Sequence, residues 1–417
     1  MESTNSSRKI TLLIVVAALG YFVDIYDLLL FLIIKDRSLA SIGVSAADMT
    51  NVGLRLMSWQ MAGMLVGGIL WGVLGDKKGR LSVLFGSIMM YSLANIANGF
   101  VQDVPTYAVL RFITGVGLAG ELGAGITLIS ESMSKEKRGY GTMIVAVVGL
   151  TGAIVAYYVG ANFDWRTTFF IGGAMGILLL GLWVGVFESG MFSKMQKNNV
   201  RKGDFSMLFT DSTRFKKYLN SILIAVPVWF VIGILIGIAP AFGEALGMKE
   251  TIDSGRGVMF TYVGITLGDL ISGSLSQIFR TRKKVIFVFL TLTYAGILFF
   301  LLSDGLSADE FYALCIYLGI ATGYWVVFIT MASEQFGTNL RSTVTTTVPN
   351  FVRGSLVLVT CLFDYFRQEY GIVNSGLILG SFTVFVAYIA LWQLKDTFGK
   401  DLDYVEVNSK YVVPSIF

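Results

Sequence analysis

The chain has no histidine at all, two cysteines and five prolines in 417 residues, and charged residues make up only 14% of it. Without histidine there is no His-ligated zinc or haem and no histidine-based catalytic triad. No P-loop or nucleophilic serine motif stands in for them, so nothing in the sequence points to an enzyme. Cys315 and Cys361 fall inside apolar runs and read as small packing residues. The scarcity of charge is the strongest exclusion, because a soluble domain carries ~25% charged residues. A chain of this length with so little polar surface is a polytopic membrane protein. Its net charge of +4 is no nucleic-acid signature, because the basic residues segregate by side.

Apolar side chains are what the sequence has in abundance, at 54% of the residues. Runs near 20 residues recur about twelve times: 10–34, 51–74, 81–101, 105–131, 140–161, 166–187, 218–240, 256–279, 285–303, 310–333, 342–363 and 372–394. At ~1.5 Å per residue each can cross a hydrocarbon core of about 30 Å as a helix. The runs are too long and too continuous for barrel strands. The first is too long for the apolar region of a cleavable signal peptide.

Charge placement predicts the orientation. Alternate loops carry Lys77, Lys78, Arg80, Lys135, Lys137, Arg138, Arg280, Arg282, Lys283, Lys284 and Arg341, with Arg8, Lys9 and a cluster from Lys194 to Lys217. The other loops carry Asp48, Asp103, Asp164, Glu244, Asp253, Asp304, Asp309, Glu310 and Glu369. The positive-inside rule then puts both termini in the cytoplasm and the chain in the plasma (inner) membrane.

The chain is also doubled. Ser130-Glu131 is followed by Arg138 as Ser333-Glu334 is by Arg341, and at the same offset Gly120 falls on Gly323 and Thr127 on Thr330. A weaker echo pairs Gly72–Arg80 with Gly273–Lys284. The expected organisation is a six-helix half over 1–187, a cytoplasmic linker over 188–217, a second half over 218–395 and a tail over 396–417. Parallel halves of this kind put a binding site at mid-bilayer between them. The tail is too small to be the output domain of a receptor. Gly115, Ala119 and Gly123 are spaced by four for close helix packing, and Pro227 and Pro349 should bend their spans.

The loop Gly72 to Ser82, GVLGDKKGRLS, resembles the signature loop of the major facilitator superfamily, G-x-L-x-D-x-x-G-R, at Gly72, Leu74, Asp76, Gly79 and Arg80. Asp164-Trp165-Arg166 with Phe169 and Gly172, Glu188-Ser189, and Arg111, Gly115, Gly120-Glu121, Glu131, Arg138-Gly139 extend the likeness over all twelve spans. GYFVDIYDLLLF in the first span is similar to the metabolite/proton symporters and to sialate carriers. Gly190 stands where these usually have proline, and no aspartate occupies the Gly273–Lys284 loop. The resemblance implies an all-α fold of two six-helix halves and a monomer in lipid. It also implies alternating access, powered by the proton gradient and needing no cofactor.

Within that frame Asp76, Arg80, Glu131, Arg138, Glu334 and Arg341 are the expected latch, with Gly72 and Gly79 shaping its loop; plain positive-inside topology is the alternative. Asp24 and Asp27 share a helix face. Asp27 and Arg111 both lie ~9–10 Å from the outer ends of their spans, so an Asp27–Arg111 pair is expected, either as a proton switch or as a static bridge. Asp27 ranks ahead of Asp24 as the proton site. Glu121 is a second proton site or an interdomain hydrogen-bond partner.

Arg353 lies ~18 Å beyond Arg341. It either anchors an anionic substrate with Asn350 or pairs with Asp269. Trp59, Gln60, Tyr157, Trp229, Tyr262, Tyr324 and Trp325 are candidate cavity residues or packing. The expected function is proton symport of an organic anion, with a sugar or sialate porter or a drug/proton antiporter as alternatives.

Overall fold

The computed structural model describes residues 2–45, 48–134, 137–183 and 203–406. The first half of the expected linker, including Glu188-Ser189, and the tail beyond 406 lie outside the described residues. Inside lipid every backbone N–H and C=O must be paired within its own segment, so the apolar runs become helices. Among the described residues, eleven helices are long and apolar enough to cross a membrane. The last, Thr338–Gln393, has 56 residues, well over twice the ~20 that one crossing needs. Gly371, at φ 75° and ψ 170°, breaks it into spans eleven and twelve. A positive φ is open to glycine at no steric cost, so the expected twelve spans are present. Span seven starts earlier than expected, at Ser212, inside the predicted linker.

Several spans are broken, and two of the breaks match. Span four runs as Val104–Leu118 and Glu121–Ser132, and span ten as Ala308–Thr322 and Trp325–Gln335. The echoed pair Gly120 and Gly323 sits at these interruptions. The second reflects a tight crossing, since a Cβ on Gly323 would lie 2.5 Å from the Gly268 Cα. Pro227 opens a new helical segment, Val226–Phe230, which passes into a π-turn at Val231–Ile236. Thus the segments beside the centre of the bundle are short, and their ends can be aimed individually.

The two halves meet most tightly at the basic end. Glu131 accepts from Arg80 of its own half (2.7 Å) and from Arg341 of the other half (3.1 Å). Glu334 mirrors it, accepting from Arg282 of its own half (3.2 Å) and from Arg138 of the other (2.9 Å). Each glutamate is therefore tied across the halves and not to the arginine that follows it in sequence. The hydroxyl pairs Thr127–Thr345 (3.0 Å) and Thr142–Thr330 (3.1 Å) repeat the same exchange.

Asp76 lies 3.6 Å from Arg80 and accepts from the backbone N–H groups of Ser342 (3.1 Å) and Thr343 (2.8 Å) and from the Thr343 hydroxyl (2.6 Å). That approach depends on Gly72, where a Cβ would fall 2.9 Å from the Thr343 Cα. Gly79, at φ 100°, turns the chain from span two into span three.

Removing one partner of a buried ion pair costs about 3–5 kcal/mol, because it leaves the other charge uncompensated. Glu131→Gln is expected to open this end. Thr345→Cys, in a background with the exposed Cys361 replaced by Ser, should be labelled by a water-soluble maleimide at least ~10-fold faster once Glu131 is neutralised, the factor for ~1.4 kcal/mol. Equal labelling rates would mean that the ties do not hold the end shut.

Candidate functional site

Halfway along the bundle, side chains of both halves close on a small cavity. Tyr21 and Ile25 come from span one, Leu150 from span five, Trp229 and Ile232 from span seven, Tyr262 from span eight, Trp325 from span ten and Arg353 from span eleven. The free space between them is 20 Å³, room for about one water, so no organic solute fits without the walls moving apart. Its wall is aromatic and aliphatic apart from one charge, Arg353.

That charge is held between the halves. Arg353 Nη2 is 4.0 Å from Asp24 Oδ2, and both side chains are buried. The guanidinium carbon lies 5.8 Å from the Trp325 ring centre. Arg353 Nη1 donates to Asn350 Oδ1 at 3.4 Å, while Asn350 Nδ2 donates to the carbonyls of Ala119 (2.9 Å) and Thr346 (2.7 Å). Asn350 therefore supports Arg353 and stitches span eleven to the break in span four, but it does not line the cavity.

The Arg353–Asp269 pair considered from sequence is not formed. Asp269 Oδ1 instead accepts from Val326 N–H at 3.0 Å. A carboxylate is well placed at the orphan amides of a helix start, and here it anchors the half-helix that presents Trp325.

Asp27 and Arg111 are near enough to feel each other's charge but do not form a direct ion pair. The Arg111 fork faces the amide oxygens of Gln60 (3.4 Å) and Asn95 (3.3 Å). Its guanidinium carbon lies 5.5 Å and 5.2 Å from the ring centres of Phe31 and Phe169. Neutral amides and ring faces thus make the direct contacts of the guanidinium. The Asp27 carboxylate is buried against Gly172 of span six. Glu121 accepts from Tyr91 at 2.9 Å and packs against Gly20. Both neighbours belong to its own half, so Glu121 is not an interdomain partner in this state.

Of the expected cavity residues, Trp229, Tyr262, Trp325 and Arg353 line it. Trp59 is 50% exposed on the outer surface of the bundle and stacks edge-on with Phe112. Tyr157 packs against Tyr158 away from the cavity. Tyr324 is buried and donates to the Ile224 carbonyl at 3.0 Å, which joins spans ten and seven. Gln60 serves Arg111. Neighbouring positions on a helix point to different faces, so adjacent candidates such as Tyr324 and Trp325 had to part.

Tyr21, Tyr91, Asn95 and Arg282 were missed by the sequence reading. Tyr21 is three residues before Asp24, on the same helix face. Arg282 lies in the loop that echoes Arg80. Tyr91 and Asn95 carry no such signal.

A family model of the Major Facilitator Superfamily matches residues 10–360. The chain is 27% identical over 312 residues to the 3-(3-hydroxy-phenyl)propionate transporter of Escherichia coli strain K12, an alignment covering 72% of this chain and 73% of that one. It is 24% identical over 369 residues to the benzoate transport protein of Acinetobacter baylyi, covering 78% and 75%. The solved structure of the proton:xylose symporter XylE bound to 6-bromo-6-deoxy-D-glucose superposes with a TM-score of 0.76 at 16% identity, covering 95% of this chain and 98% of that one. At that identity the likeness speaks for the fold alone. The chain therefore belongs to the major facilitator superfamily, and it is a multi-pass membrane carrier of small organic solutes, not an enzyme.

Proposed function

We propose that the protein couples proton entry to the uptake of a small organic anion, a carboxylate attached to a flat apolar body. It would work in the plasma membrane with both termini cytoplasmic. One observation carries this reading: a buried arginine, Arg353, stands in an aromatic box and faces a carboxylate of the opposite half, Asp24, at 4.0 Å. An arginine fork binds a carboxylate bidentately, and the rings of Trp229, Tyr262 and Trp325 provide faces for a planar group. The names of the hydroxyphenylpropionate and benzoate carriers agree with such a cargo.

The coupling follows from competition. Arg353 can satisfy Asp24 or the cargo, but not both fully. When the cargo's carboxylate takes the guanidinium, Asp24 is left in a dry site without its cation, and a proton neutralises it. The loaded site then holds a neutralised pair, and the two halves can rock around it. On this geometry Asp24, not Asp27, is the proton carrier. Asp27 and Glu121 lie behind it as further buried acids, and the ties at the basic end hold the outward-directed half of the cycle. A sugar cargo has less support, since among the residues lining the cavity none carries an amide to read hydroxyl groups.

In proteoliposomes, Asp24→Asn should abolish uphill uptake driven by an inward proton gradient while leaving counterflow of labelled cargo. Asp27→Asn should keep uphill uptake. The opposite pattern would return the coupling to Asp27. Wild-type uptake should rise as the outer pH falls, because the proton enters with the cargo, and this dependence should vanish in Asp24→Asn.

Arg353→Ala should raise the KM for carboxylates by ~10–100-fold, from the loss of a charge-assisted hydrogen bond worth about 1.5–3 kcal/mol. Uptake with an unchanged KM would make Arg353 structural.

A further inference from the structure

Beyond span twelve the chain crosses back over the basic end as a strap. Thr397 donates to Glu334 (2.7 Å), and Arg138 of the first half donates to the Lys400 carbonyl (2.9 Å). Arg341 donates to the Leu402 carbonyl (2.6 Å), Thr338 N–H to the Tyr404 carbonyl (2.8 Å), and the Tyr404 hydroxyl to the Gln335 carbonyl (3.0 Å). The strap thus sits on both arginines that cross between the halves.

Between the strap and the ends of spans seven, ten and twelve lies a cavity of 550 Å³. Lys216, Lys217, Lys395 and Lys400 all line it, and its floor is closed by Asn220 donating to Gln393 at 3.1 Å. Asp396 is the one acid of the lining, and its carboxylate is already engaged. It accepts from the Thr281 hydroxyl and from the N–H groups of Arg282 (3.2 Å), Lys283 (3.2 Å) and Phe398 (3.0 Å).

None of the four lysines makes an ion pair among the described residues. Burial, and next the Lys217 charge beside it, holds the Lys400 ammonium below the usual lysine range. Membrane orientation needs basic residues on this side, but it does not need them crowded onto one cavity.

We propose that this cavity is a binding site for a phosphate-bearing anion, and that its occupancy fastens the strap and keeps the basic end closed. Lysine ammoniums recognise phosphate as point charges, and a multiply charged anion relieves the repulsion among them. Because Lys395 and Lys400 belong to the strap while Lys216 and Lys217 belong to span seven, the anion bridges the moving cover to the bundle.

Trypsin cuts after Lys395 and Lys400, so the rate of these cuts in the full-length carrier reports strap opening. One arm uses protein in neutral detergent with inorganic pyrophosphate, against chloride at equal ionic strength. The other uses nanodiscs of phosphatidylcholine with or without phosphatidylglycerol. At pyrophosphate ~10-fold above its Kd, cleavage should slow about tenfold by mass action. Protection by pyrophosphate assigns a soluble ligand, and protection by phosphatidylglycerol alone assigns a lipid headgroup; both support the site. The protection should be lost in K216Q/K217Q and kept in K216R/K217R. No protection in either arm, protection that survives K216Q/K217Q, or equal loss in K216R/K217R overturns the proposal.

Discussion

Everything at the basic end depends on buried charge that must be neutralised from across the halves. A glutamate taken out of water is costly unless paired and hydrogen-bonded. Glu131 and Glu334 meet that demand with one arginine from each half, Arg80 with Arg341 and Arg282 with Arg138. The exchange makes the two halves mutually dependent while this end is closed. It also makes the closure reversible, because water can take over the same charges when the halves part. A hydrophobic seal of equal area would have no such second state.

The central site uses the same physics with less compensation. Arg353 and Asp24 are buried and only 4.0 Å apart, a separation at which the attraction is felt but no hydrogen bond is formed. Their hold on each other is therefore looser than that of the pairs at the basic end. Around them the groups that looked most like further transport chemistry serve the architecture. Asp269 fixes the restart of span ten and so the position of Trp325, and Asn350 fixes Arg353 while joining span eleven to span four. The broken helices are what bring short, separately aimed segments to the cavity.

The strap and the ion pairs between the halves lie on one chain of contacts. The strap rests on Arg138, Arg341 and Glu334, the very groups that lock the halves. A ligand under the strap, as proposed above, would therefore act on the ties between the halves and not at the central cavity.

Much of this was legible in the order of the residues. Lipid allows a backbone few solutions, so apolar run lengths determined twelve helical spans, and the segregation of Lys and Arg predicted their orientation. The internal echo disclosed two halves and named Glu131, Arg138, Glu334 and Arg341 before any partner was known. Arg353 stood out by its charge, and Trp229, Tyr262 and Trp325 were among seven candidates that the sequence could not tell from packing residues; Trp59, Gln60, Tyr157 and Tyr324 do not line the cavity. Pairing was decided only by the tertiary structure. Sequence reasoning placed Arg111 against Asp27 by matched depth, and Arg353 against Asp269 as one option, yet the amides of Gln60 and Asn95 hold the first arginine and Asp24 faces the second. Depth along a helix follows from residue count. The rotation of each helix about its axis follows from packing against all its neighbours, and it is rotation that selects which charge a buried arginine meets.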